Sequence, residues 1–222
     1  MRIPAATIPI CRVLAVAAFA IAPGCTCTDV APAAPAITSP WSDDFDRSTL
    51  GPDWKATDES AYKLENGELV VQKAHNHPVW LTRALPRDAK IEFDAWSNDE
   101  AGDIKVEVWG DGKAYATDLY GQYTSTSYNV IFGGWHNQLA VLARLNEHGD
   151  DRKARADVKV EKGRHYHFTI TRKGAKLDWQ LDGQPFLSFE DPAPLEGPGH
   201  AYFGITDWEA ELHFDHLRIS PL

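Results

Sequence analysis

From Trp41 onward the chain is a succession of short runs in which apolar and polar residues alternate with a period of two, the pattern of strands that bury one face. In positions 90–96, Ile91, Phe93 and Ala95 share one side while Glu92, Asp94 and Trp96 share the other. Positions 103–109 repeat this, with Ile104, Val106 and Val108 opposite Lys105, Glu107 and Trp109. Further strand-like runs fall at 62–64, 68–72, 79–85, 128–132, 138–145, 156–161, 165–172, 176–181, 186–189 and 201–219. Asn66-Gly67 is a strong two-residue hairpin signal, and Lys162-Gly163, Lys173-Gly174 and Asp182-Gly183 mark turns of the same kind. In the last run Leu212 and Phe214 share a phase that Leu217 and Ile219 do not, which predicts a bulge near Asp215-His216. No amphipathic helical stretch of useful length interrupts the pattern. The expectation is one all-β domain over 41–222, a two-sheet antiparallel β-sandwich of about a dozen strands.

The N-terminus is different in kind. Arg2 and Arg12 precede the apolar run 13–22, which is too short to span a bilayer and reads as a secretory signal over 1–24. Gly24-Cys25 resembles a bacterial lipobox, so Cys25 is the expected lipidation site and the alanine- and proline-rich positions 25–40 the expected tether. A cell-envelope lipoprotein is the leading expectation, and a periplasmic or secreted protein the alternative. All three cysteines lie at or before position 27, so the domain has no disulfide framework and must rely on its core. The formal net charge is −10, with no basic stripe, which argues against nucleic acid and strongly anionic polymers and leaves neutral poly- or oligosaccharides and peptides as partners, with a monomer expected.

The densest polar and aromatic chemistry lies at 128–152. Gly133-Gly134 permits a sharp bend between two strand-like runs, Trp135, His136 and Asn137 follow it, and Arg144, Glu147, His148, Asp151 and Arg152 close the second run. A flat aromatic, amide and guanidinium donors and a carboxylate are the groups that grip a sugar. Trp135, His136, Asn137, Arg144, Glu147 and His148 are therefore expected to form one pocket, with Glu92, Trp96 and Trp109 on the adjoining sheet face. An Arg–Glu–Asp network stitching the end of a sheet is the structural alternative. His148 beside Glu147 is the general acid/base candidate if the protein is an enzyme. Trp208 is a further possible stacking platform, whereas Trp179 shares the phase of Leu177 and Leu181 and belongs in the core.

The segments D-D-F-D at 43–46, L-G-P-D-W at 50–54, E-N-G-E-L-V-V at 65–71 and F-D-H-L-R-I at 214–219 fall in an order that resembles the concanavalin A-like lectin/glucanase superfamily, including its LamG-like members. There is a weaker resemblance to the 3-keto-disaccharide hydrolase-like domains. The resemblance implies a jelly roll whose bent sheet forms a sugar-binding groove. Family 16 glucanases of that fold carry E-x-D-x-x-E on one strand; here positions 92–97 read E-F-D-A-W-S, with Ser97 in place of the second glutamate. Retaining hydrolysis needs two carboxyls about 5 Å apart, so the catalytic candidate left on the sheet is Glu92 paired with Glu107. These observations imply a carbohydrate-binding, lectin-like domain, with a glycoside hydrolase of the same fold as the alternative and a purely structural surface protein as the second.

Metal sites are weakly signalled. His75-x-His77 and His165-x-His167 place imidazoles on shared faces but lack a recognisable third and fourth ligand. Asp43, Asp44, Asp46 and Asp215 could meet if the terminal strands pair, so Ca2+ is possible, but no cofactor is assigned.

Overall fold

In the computed structural model, which describes residues 34–118 and 123–222, alternation becomes two antiparallel sheets packed face to face. In chain order the strands are β1 (Trp41–Asp43), β2 (Trp54–Ala56), β3 (Tyr62–Glu65), β4 (Glu68–Gln72), β5 (Val79–Leu81), β6 (Ala89–Ser97) and β7 (Ile104–Gly110). Then come β8 (Tyr128–Gly133), β9 (Leu139–Arg144), β10 (Lys153–Arg155), β11 (Tyr166–Lys173), β12 (Lys176–Leu181), β13 (Gln184–Glu190), β14 (Tyr202–Thr206) and β15 (Glu211–Pro221). One sheet has eight strands in the order β13-β12-β11-β6-β15-β4-β3, with β1 also on β15; the other has seven, β10-β9-β8-β7-β14-β5-β2.

The inward phases predicted from the pattern meet in the middle. Phe93 stacks on Phe168 at 4.8 Å and Phe168 on Trp179 at 5.7 Å, and Phe132 of the facing sheet meets Phe168 and Trp179 edge-on. Burial of such rings supplies the apolar area that a disulfide-free sandwich needs, about 25 cal/mol per Å2. Asn66 and Gly67 both take positive φ and close the β3–β4 hairpin as expected. The bulge in the last strand lies between Asp215 and Arg218, with His216 at φ 51°, so Leu217 and Ile219 return to the core.

Two strand expectations are corrected. Residues 156–161 form no strand; the short β10 precedes them, and they run on as an irregular segment that buries Val160. The run 201–219 breaks into β14 and β15 around a turn carrying Asp207, Trp208 and Glu209.

The compact unit spans Ala34–Leu222. Residues 34–37, tether by composition, lie against it: Ala36 bridges Ala84, the Ile37 amide donates to the Ala84 carbonyl at 2.9 Å, and the Ile37 side chain is buried. Cys25, the signal assigned to 1–24 and the tether up to residue 33 lie outside the described residues.

Candidate functional site

The outer face of the seven-stranded sheet carries the site. Lys105 and Glu107 project from β7 opposite the core residues Ile104, Val106 and Val108, as the alternation requires. On the same face Ile131 of β8 and Val141 and Ala143 of β9 form a small separate apolar cluster against which Trp135 packs. Over part of this face Trp80 lies flat on Gly110 and Gly204, so close that a Cβ at either would meet its ring at 2.6 or 2.8 Å. Beside it opens a cavity of about 430 Å3, lined among others by Asp103, Lys105, Tyr123, Trp135, Glu147 and Trp208.

The segment that presents Trp135 is unusual in its backbone. After Gly133 at φ 80°, Trp135, His136 and Asn137 all adopt left-handed conformations, with φ of 53°, 56° and 61°. Each such non-glycine residue costs about 1–2 kcal/mol, so the surroundings must hold the turn in place. Asn137 does this: its Nδ2 donates to the carbonyls of Val160 at 2.8 Å and Glu100 at 3.1 Å, and its Oδ1 accepts from the Val160 amide at 2.8 Å.

At the floor of the cavity one buried cation is surrounded by acids. Lys105 Nζ donates to Glu147 Oε2 at 2.5 Å and to Asn76 Oδ1 at 2.6 Å, with its side chain only 3% exposed. Burial alone would depress this ammonium, but Glu147, Glu107 and Asp103 outweigh it and hold the pKa above its ordinary value. Glu107 accepts from Ser127 at 2.7 Å and Tyr123 at 3.4 Å through Oε2, while its buried Oε1 has no partner among the described residues. Desolvation pushes Glu107 up to about 7, only partly offset by Lys105, Ser127 and Tyr123. Asp103 is likewise raised by burial to about 7 against the opposing pull of Lys105 and the Trp208 amide, which donates to it at 2.6 Å. Asp207, desolvated and next to Asp103, also stands at about 7 despite accepting from the Lys73 and Ala74 amides.

These shifts fix the sign of a stability prediction. Each of the three carboxyls holds its proton more tightly folded than unfolded, so the native state binds more protons between about pH 4 and 7 and stability must fall as pH rises through that window. Asp43 and Asp178 act oppositely. Both are lowered: desolvation is opposed and outweighed at Asp43 by the Arg47 and Trp54 hydrogen bonds, and at Asp178 by those of Lys176 and Ser188. Their contribution is present above about pH 4 and lost below it. Urea titrations are expected to place maximum stability near pH 5, with a loss on the order of 2 kcal/mol by pH 8, the figure discounted because Asp103 retains contact with solvent. A stability that is flat or rising from pH 5 to 8 would contradict this account.

The sequence candidates divide sharply. Trp135, His136, Glu147 and His148 line the cavity together, and His148 Nε2 lies 3.7 Å from Glu147 Oε1. Asn137 is buried and braces the turn rather than lining the cavity. Arg144 faces the other way: its Nε donates to Asp191 at 2.9 Å, a carboxylate that also accepts from Tyr128 OH, so it closes a structural network at the sandwich edge. Glu92 lies on the outer face of the eight-stranded sheet beside Lys90, across the core from Glu107, and the two cannot act as a pair. Trp96 is on that same far face, stacked between His165 at 3.8 Å and His213 at 5.0 Å. Trp109 is turned into the core by an irregularity in the β7–β14 register, at φ 55°; Arg172 lies 5.2 Å over its ring, and its Nε1 donates to the Pro86 carbonyl.

Sequence reasoning missed Asp103, Lys105, Asn76, Tyr123 and Asp207, which reach the site from separate segments; Trp208 was considered only as a stacking surface. Of the acids considered for calcium, Asp43 is committed to Arg47, Trp54 Nε1 and the Phe45 amide. Asp44, Asp215 and His216 offer atoms within 4.8 Å of one another, with an Arg218 nitrogen 2.6 Å from Asp44 Oδ1.

No protein-family model matches the chain, and no curated protein matches it. Solved structures do. The carbohydrate-binding module CBM66 from Bacillus subtilis superposes with a TM-score of 0.55 at 13% identity, covering 76% of this chain and 95% of that one. A β-1,3-1,4-glucanase (lichenase) derived from a mouse hindgut metagenome gives 0.61 at 10% identity, covering 83% and 100%. The carbohydrate recognition domain of Emp47p gives 0.57 at 11%, covering 82% and 95%. The fold is thus the two-sheet antiparallel jelly-roll β-sandwich of these three neighbours, and at these identities the likeness speaks for fold alone.

Proposed function

We propose that the domain is a lectin-like carbohydrate-binding domain that holds a non-anionic sugar in the cavity between Trp135, Trp208 and the Lys105–Glu147 pair. The observation that carries this reading is the left-handed turn at Trp135 and His136, where backbone strain is spent to set an aromatic ring at the mouth of a polar cavity. The ring and Trp208 supply C–H stacking surfaces, while Asn76, Lys105, Tyr123 and Glu147 supply donors and acceptors for hydroxyls. The acidic floor disfavours uronic, sulfated or sialylated sugars by charge alone. The types of ligand named for CBM66 and Emp47p support the same reading. The reading includes export of a monomer, anchored through lipid on Cys25, to the cell envelope.

The test is binding to a glycan panel by wild type, Trp135→Ala, Trp208→Ala and the control Tyr115→Ala, an exposed ring outside this cavity. Loss of each lining ring is expected to weaken binding about tenfold or more, since stacking contributes on the order of 1 kcal/mol or above, with the melting temperature kept and the control unchanged. If both lining variants bind as wild type does, the site is elsewhere.

A second reading, glycan hydrolysis in the same cavity, is favoured by the placement of two carboxyls, Asp103 and Glu147, in its lining, with burial pushing Asp103 up to about 7, where a carboxyl can both give and take a proton. Release of reducing ends from a bound glycan, abolished by Asp103→Asn, would establish it; binding without turnover would leave the lectin reading.

A further inference from the structure

The charge balance of this cavity narrows the ligand further. Asp103 and Glu147 line its floor, and Glu107 and Asp207 lie buried behind it, within electrostatic reach of Lys105. A fifth, Glu209, lines its mouth with its side chain 60% exposed and its Oε1 3.6 Å from His75 Nε2. Against them, among the described residues, stand two permanent cations, besides the imidazoles of His148 near Glu147 and His75 near Glu209. Lys105 is tied to Glu147 and Asn76, and Arg152 lies over the Trp135 ring at 5.2 Å while donating to the Glu147 carbonyl. The deficit of permanent positive charge is not made up by hydrogen bonding, since the buried Glu107 Oε1 has no partner among the described residues. Crowded carboxyls that share so little positive charge gain most from a ligand that brings its own cation, because it favours their ionised forms.

A bare metal ion does not fit that need. Among the described residues, the one group whose ligand atoms converge within 4.8 Å is Asp44, Asp215 and His216, far from this sheet face, so these carboxyls do not converge into a compact coordination sphere. Instead Asp103, Glu147 and Glu209 are spread around some 430 Å3 walled also by Tyr123, Trp135 and Trp208. Dispersed acids with aromatic walls suit an organic ammonium, held by several long-range attractions and by ring faces together.

Resting on the glycan-binding reading above, we infer that the cavity selects sugars bearing a free, protonated amine over their N-acetylated and hydroxyl counterparts. The ammonium stands among Asp103, Glu147 and Glu209, and its ring stacks on a tryptophan. Lys105 remains paired with Glu147, so the ligand complements the network without having to break it.

The experiment compares three β-1,4-linked tetrasaccharides that differ at C2 alone: fully de-N-acetylated chitotetraose, chitotetraose and cellotetraose. Titration calorimetry near neutral pH is expected to give about tenfold tighter binding for the amine form at low salt, the gap narrowing as salt screens it. Asp103→Asn and Glu209→Gln, checked for an unchanged melting temperature, are each expected to reduce the preference severalfold; Glu209 is a mouth residue whose exposure makes misfolding an unsuitable explanation. An amine form less than threefold tighter than cellotetraose, when either binds, overturns the inference and leaves the glycan reading intact. Failure of all three to bind a folded protein that binds other glycans also overturns it, and failure of every glycan overturns both.

Discussion

Replacing Lys105 by methionine should destabilise the domain by about 3–5 kcal/mol at pH 8 and by far less at pH 5. The aliphatic stem is conserved in this change, so packing against the sheet is largely retained and the loss is that of charge. At pH 8 the removal leaves Glu147 without its partner at 2.5 Å and Asp103, Glu107 and Asp207 without the one buried cation that moderates them. Their pKa values, already raised to about 7 for those three, then rise further. At pH 5 the three take up protons in either protein, and the loss is confined to the Glu147 pairing. Urea midpoints for wild type and Lys105→Met at the two pH values measure the difference. An equal loss at both would show that Lys105 contributes through its stem alone.

Asn137→Ala is the second large effect, with an expected cost of about 3 kcal/mol. The side chain satisfies the backbone carbonyls of Glu100 and Val160 and the Val160 amide, two of these three contacts being buried, and stranding such groups costs about 1–3 kcal/mol apiece. Alanine is also poorer than asparagine at φ 61°. The same substitution should weaken glycan binding, because Trp135 and His136 owe their placement to the turn. Asn137→Gly separates the two causes: it relieves the backbone but not the lost hydrogen bonds, and should recover only about 1 kcal/mol. Full recovery by glycine would assign the whole effect to the backbone. Chemical denaturation followed by binding at a temperature where each variant is folded reads both quantities.

How far these features were legible depends on what kind of information each requires. Period-two alternation at 90–96 and 103–109 identified strands and their buried sides correctly, because side-chain direction within a strand is a local property. Which sheet a strand joins is not local. Glu92 and Glu107 occupy equivalent outward positions in similar-looking strands, yet β6 and β7 belong to different layers, and the two glutamates end on opposite outsides of the sandwich. The bulge at Asp215-His216 could be read because apolar residues continue beyond it in the opposite phase. The irregularity at Trp109 has no such continuation, since Gly110 ends the strand, and so nothing in the pattern betrayed that this ring turns inward. Lys105 was hidden by its own regularity: a lysine between Ile104 and Val106 looks like any solvated face until distant segments bring Asn76, Glu147 and Asp207 over it. Of the polar knot at 135–148, the part carried on turns reached the cavity, whereas Arg144, still in register on β9, followed its strand to the other side.

The place of the last strand has a consequence for how the chain reaches this state. β15 is interior to the eight-stranded sheet, with β6 on one side and β4 and β1 on the other, so the strands of that sheet from residues 41–72 are joined to those from residues 89–97 and 166–190 only through residues 211–221. β14 bridges β5 and β7 in the second sheet in the same way. A nascent or threaded chain therefore has no complete layer to offer until residues 211–221 are free, and removing that one strand removes the seam rather than an edge. Folding of the domain must await residues 211–221, and the closure of such long loops places it among the slower folders for its size.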